Sequence, residues 1–187
     1  MHYRTLGKIG INVSVLGQGC MRLPTLVPGD PPIDHNKAIT MIRRGVDAGI
    51  NYVDTAHNYH DYESEIVVGK ALKDGYRDKV TLVTKSPIWH PDFTKQADFD
   101  RYLEASLKQL DVETIDVYML HALNEKRYKE RALGYRLVER IEAAKASGKI
   151  RYMGLSFHDK PEILKEILDS NMFEVLLVQY NTWIEDM

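Results

Sequence analysis

The chain has 187 residues, 44% apolar and 28% charged, with a formal net charge of −2. That length suits a single domain with a sizeable core, and the near-balanced charge gives no electrostatic reason to expect nucleic acid or an anionic membrane as a partner. One cysteine, Cys20, excludes an internal disulfide, the polar opening MHYRTLGKIG carries no secretory signal, and no apolar run approaches the ~20 residues that span a bilayer, so a cytoplasmic protein is the expectation.

From the N-terminus, HYRTLGKIGINVSVL reads as a β-hairpin able to plug one end of a barrel. Six short apolar, β-branched runs follow: VSVLGQG (13–19), INYVD (50–54), VTLVTK (80–85), IDVYMLH (115–121), IRYMGLS (150–156) and EVLLVQY (174–180). They are near-continuously hydrophobic instead of alternating, as parallel strands buried on both faces are. Amphipathic helices lie between them. The spacing predicts a helix over 36–48 that buries Ala38, Met41, Ile42 and Val46 and stops at Gly49. Another over 98–110 carries Phe99, Leu103, Leu107 and Leu110 on one face. A longer one over 128–147 presents Leu137, Val138, Ile141 and Ala144 and ends at Gly148. The last, over 159–169, has Asp159 as candidate N-cap, Pro161 in its first turn and a stripe of Ile163, Leu164, Ile167 and Leu168.

Taking the strand ends as Gly19, Asp54, Lys85, His121, Ser156 and Gln179 gives about six βα units in series across one domain, residues 1–187. Such a series suits either a doubly wound sheet or a (β/α)8 barrel. No strand is followed by G-x-G-x-x-G, which disfavours the dinucleotide-binding doubly wound fold.

In a (β/α)8 barrel the C-terminal strand ends face the active site. Here they supply Asp54, Lys85 and His121 on consecutive strands, with Tyr59 in the loop after the first. Each alone has an ordinary reading: a turn aspartate, a solvated lysine, a packed tyrosine, a structural histidine. Four ionisable groups converging on one barrel mouth would be costly without a use. Together they fit one task. A phenol with an ordinary pKa near 10 is a poor proton donor at neutral pH, and a lysine cation beside it would favour the phenolate. An aspartate would hold that lysine in place and charged. A histidine would orient and polarise a bound carbonyl oxygen.

The motifs DTAHNY, ESEIVVGKAL, LVTK and YMLH, in this order and at this spacing, resemble the aldo-keto reductase family. The resemblance implies a (β/α)8 barrel that reduces aldehydes and ketones with NADPH, and it puts Asp54, Tyr59, Lys85 and His121 on the catalytic positions. It further implies that Ser156 of GLSFHD and Gln179 of VQYN contact the nicotinamide carboxamide, and that the backbone of Gly19, Cys20 and Met21 lines the nicotinamide pocket. Phe157 stands where the family usually has a polar residue, and His158 is the nearest group able to replace that contact. GCMRLP, LHALN and GLSFHD look most like the branch fused to a C-terminal iron–sulfur segment, whose cysteines the sequence lacks, so no cluster is expected.

The family barrel has eight strands and this sequence stops just after the sixth. The expectation is therefore an incomplete barrel whose open edge could support oligomerisation and whose activity as an isolated chain is in question. Two other functions compete. A non-catalytic cofactor-binding or regulatory barrel would keep the fold without turnover. A metal-dependent hydrolase could draw on His57, His60, His90, His121 and His158, but Lys85 would be an awkward cation among metal ligands. Trp89 and His90 are candidates for lining a pocket that takes the apolar part of a carbonyl compound. The basic stretch NEKRYKERALGYR reads as a solvated face.

Overall fold

The structure, a computed structural model, describes residues 1–27 and 30–180. A hairpin of β1 (Tyr3–Leu6) and β2 (Ile11–Ser14) comes first, followed by the two-residue strand β3 (Gln18–Gly19). A second hairpin, β4 (Thr25–Val27) and β5 (Asp30–Ile33), leads into α1 (His35–Asp47). Asp34 caps α1, its carboxylate accepting from the Lys37 N–H at 3.1 Å, and the helix buries Ala38, Ile42 and Val46, spaced one turn apart. Then come β6 (Tyr52–Asp54), α2 (Ser64–Ala71), β7 (Thr81–Ser86), α3 (Asp98–Leu110) and β8 (Ile115–Leu123). A short turn α4 (Glu125–Arg127) runs into π-helical turns at Tyr128–Leu133 and is followed by α5 (Leu137–Ala146), β9 (Ile150–Phe157), α6 (Pro161–Asp169) and β10 (Val175–Val178).

Six strands form one curled parallel sheet in the order β10-β9-β8-β7-β6-β3, and each neighbouring pair is parallel. Helices cover its outer side, where Leu82, Leu103, Leu110, Ile115, Tyr118 and Leu120 join the main core. On the inner side Val83, Val117, Met119 and Val175 form a smaller cluster that Leu6 and Ile9 of the N-terminal hairpin close. The hairpin thus plugs one end of the curl, as the sequence suggested. All six residues of β7 are buried, which explains why it reads as hydrophobic without alternation.

Several expectations change. The run 13–19 is not one strand: Ser14 ends the hairpin, locked to Asn51 by two hydrogen bonds of 2.6 and 3.0 Å, and only Gln18 and Gly19 enter the sheet. The helix α2, which the sequence reading did not single out, is buried nearly all round, Ser64 and Glu65 included. The helix expected over 128–147 is broken before Leu137, where Arg136 takes φ +53°. Val138 and Leu168 are exposed instead of buried. Asp159 does not cap α6; its carboxylate accepts from Glu125 N–H and Lys160 N–H, and Lys160 holds the N-cap position. The basic stretch is only partly a solvated face, since Tyr128 and Ala132 are buried and the Arg131 guanidinium donates to the carbonyls of Ile88 and His90.

Candidate active site

Parallel register carries the C-terminal strand ends to one rim. Gly19 lies beside Asp54, Asp54 opposite Val83, and Lys85 opposite Met119, two residues before His121. Tyr59 comes from the loop between β6 and α2, in which His60, Asp61 and Tyr62 all take positive φ.

Lys85 is only 1% exposed, and a buried ammonium needs partners to be tolerable. It has three: Asp54 Oδ1 at 2.6 Å, the Thr55 carbonyl at 2.7 Å and the Tyr59 hydroxyl oxygen at 3.3 Å. The ammonium is the donor to Tyr59, so the phenol keeps its own proton for another acceptor. Burial pushes the Asp54 carboxyl upward, and the nearby Lys85 cation pulls it back. Asp54 Oδ2 is buried with no partner among the described residues.

The His121 ring sits edge-on to Tyr59, with centroids 5.7 Å apart and planes at 78°. Burial, helped by the Lys85 cation, pushes its imidazole down to about 3, so the ring is neutral at physiological pH. Its Nδ1 is buried without a partner among the described residues. A neutral imidazole can donate a hydrogen bond to a carbonyl oxygen without competing with Tyr59 to protonate it.

Tyr59 and His121 line a cleft of about 790 Å3 with Met21, Arg22, Asn58, Trp89 and His158 among its walls. Trp89 therefore reaches the cleft, whereas His90 faces the Tyr102 hydroxyl at 3.2 Å. Beside the rim, Gly19 is open: among the described residues, its two chain neighbours aside, a Cβ there would meet no atom within 4 Å. Cys20 is fully buried, its N–H donates to the Asp54 carbonyl at 2.8 Å, and burial pushes its thiol up to about 12, which leaves it inert. Met21 is 52% exposed. Ser156 is buried next to His121, its hydroxyl accepting from the Ala122 N–H at 2.7 Å and retaining its own proton to donate. Gln179 follows β10, the outermost strand, and is exposed.

Asp54, Tyr59, Lys85 and His121 are thus brought together. Sequence reasoning missed Thr55, whose backbone carbonyl leaves no mark in its residue type, and Arg22 and Asn58, whose loop positions carry no periodicity. Of the other histidines, His60 and His158 line the same cleft as His121, while His57 and His90 turn to other partners. His57 pairs with the buried Glu65 at 3.3 Å, and His60 accepts from the Leu23 N–H at 2.9 Å. Among the described residues no group of three or more His, Cys, Asp or Glu is placed to hold a metal ion.

Residues 15–185 match the Aldo/keto reductase family. The chain is 32% identical over 188 residues to "Probable aldo-keto reductase 1" of Glycine max, spanning 97% of this chain and 52% of that protein. Among solved structures, the aldo-keto reductase AKR11C1 from Bacillus halodurans in its holo form superposes with a TM-score of 0.78 at 31% identity, covering 96% of this chain and 58% of the neighbour. An aldo/keto reductase from Klebsiella pneumoniae in complex with NADP and acetate superposes with a TM-score of 0.74 at 30% identity, covering 93% of this chain and 57% of the neighbour. The chain spans about half the length of this soybean relative, so the curled six-stranded sheet corresponds to part of the (β/α)8 barrel of these neighbours.

Proposed function

The chain belongs to the aldo/keto reductase family, and on that footing we propose that it is an NADPH-dependent oxidoreductase that reduces an aldehyde or ketone to an alcohol. The observation that carries this reading is the Lys85 ammonium, buried and bonded at once to Asp54 and to the Tyr59 hydroxyl.

Each residue then has a defined task. The substrate carbonyl oxygen would sit between the Tyr59 hydroxyl and the neutral His121 ring, with the apolar part of the molecule against Trp89. His121 orients and polarises the oxygen by hydrogen bonding. Tyr59 gives its proton to that oxygen, and the Lys85 ammonium stabilises the phenolate left behind. Asp54 keeps Lys85 in place and offsets its charge. When bound, the reduced nicotinamide supplies the hydride that the carbonyl carbon accepts. The open backbone at Gly19 with Cys20 and Met21, and the free hydroxyl proton of Ser156, suit the nicotinamide ring and its carboxamide, with Gln179 as the further carboxamide contact. A neighbour that holds NADP supports this choice of cofactor.

The test is aldehyde-dependent NADPH oxidation by the wild-type chain and by Tyr59→Phe. Loss of a positioned proton donor lowers kcat by about 100-fold or more. An unchanged rate in Tyr59→Phe would remove Tyr59 from this role. Binding of NADPH with no turnover in the wild type would favour a non-catalytic, cofactor-binding protein.

A further inference from the structure

Lys85 owes its place to two neighbours in sequence, Asp54 and Thr55, and Thr55 holds it only through its backbone carbonyl. What fixes that carbonyl lies one layer further out. The Thr55 N–H donates to the Val83 carbonyl at 2.9 Å, and the Thr55 hydroxyl meets the Ser64 hydroxyl at 2.8 Å. The Ser64 hydroxyl is 2.9 Å from the Cys20 carbonyl.

A carbonyl only accepts, so the single Ser64 hydroxyl proton must point to Cys20. The Thr55 hydroxyl is then the donor to Ser64. The chain of hydrogen bonds has one direction: Thr55 to Ser64 to Cys20. Its three residues are fully buried, so no water replaces a lost partner without rearrangement. The loop is closed on its other side, because the Cys20 N–H donates to the Asp54 carbonyl at 2.8 Å. Ser64 also reaches the tyrosine loop, its own N–H donating to the Tyr59 carbonyl at 3.2 Å. One serine at the start of α2 thus touches the lysine's carbonyl partner, the tyrosine's backbone and the Gly19–Met21 segment.

We propose that Ser64 is a positioning residue of the site, which through the Thr55 hydroxyl locks the Thr55 carbonyl onto the Lys85 ammonium and through Cys20 ties that ammonium to the backbone expected beside the nicotinamide. The proposal rests on the reductase reading for its purpose, while the hydrogen-bond chain stands on geometry alone. Ser64 itself touches neither substrate nor cofactor.

The readout is the Lys85 ammonium, observed as a 1H–15N NMR signal in the full chain and identified by its disappearance in Lys85→Met. Held by Asp54, Thr55 and Tyr59, its protons are expected to exchange slowly with water. In Ser64→Ala and in Thr55→Val, which keeps the shape of threonine and removes the hydroxyl, exchange is expected to quicken at least tenfold. Thr55→Ser, which keeps the hydroxyl, is expected to stay within about twofold of wild type. Circular dichroism establishes that each variant is folded. Should Thr55→Val not fold, Ser64→Ala with Thr55→Ser decides the matter. Wild-type exchange in folded Ser64→Ala would overturn the proposal, whatever stability that variant loses. Failure of the reductase reading would show separately, in the Tyr59→Phe rates, which this exchange measurement does not involve.

Discussion

The Asp54 carboxylate gives one oxygen to the Lys85 ammonium at 2.6 Å, while its other oxygen is buried and unpartnered among the described residues. The pair is therefore held tightly on one side and left with unused accepting capacity on the other. Removing one member of such a pair strands the other charge in a buried place, which typically costs ~3–5 kcal/mol. Lys85→Met and Asp54→Asn are each expected to lower the stability measured by urea unfolding by that order. The double variant removes both charges, so it should lose clearly less than the two single losses together. Additive losses would mean that the ion pair contributes no coupling.

His121 makes stability depend on pH with a definite sign. Its imidazole falls from an unfolded value near 6.5 to about 3 when folded, through burial first and then the nearby Lys85 and Arg127 cations. Below pH 6.5 the unfolded chain takes up a proton that the folded chain refuses. Stability from this group is complete above pH 6.5 and is lost as pH falls toward 3, by up to about 1.4 kcal/mol per pH unit. Asp54, whose carboxyl is held up by burial, acts in the opposite sense at pH above the unfolded carboxylate range. Urea midpoints between pH 7 and pH 5 should fall more steeply for wild type than for His121→Gln. Parallel slopes would show that His121 is not desolvated as described.

Gly69 marks where α2 crosses the end of α3. A Cβ at this position would lie 2.5 Å from the Leu110 carbonyl oxygen, and both sides of that contact are backbone. Alanine is favoured over glycine inside a helix by ~1 kcal/mol, but forcing apart packed backbone costs ~1–3 kcal/mol. The steric cost wins, so Gly69→Ala is expected to lower the thermal midpoint by several degrees. A raised midpoint would show that α2 can move away freely.

Much of this site was legible in the sequence, for a physical reason. Parallel strands buried on both faces announce themselves as apolar runs, and their polar ends then stand out, which is how Asp54, Lys85 and His121 were found. Tyr59 has no period of its own, being a loop residue, and was legible only by its place just after the strand end at Asp54. What stayed hidden depended on contacts without a residue-type signature: the Thr55 carbonyl under Lys85, the fully buried helix that brings Ser64 to the site, and the break at Arg136. Gln179 read as a strand end, yet β10 stops at Val178 and leaves it exposed.

The proposed function requires a place for NADPH beside Tyr59, which a fluorescence titration reads out. In a Trp183→Phe background Trp89, which lines the cleft, reports alone. Saturable quenching by NADPH in the micromolar range is the expected result. Gly19→Val should fold normally, since among the described residues a Cβ there meets no atom beyond its chain neighbours, and should weaken that binding at least tenfold. No saturable change in a cooperatively folded chain, or equal affinity in Gly19→Val, would contradict it.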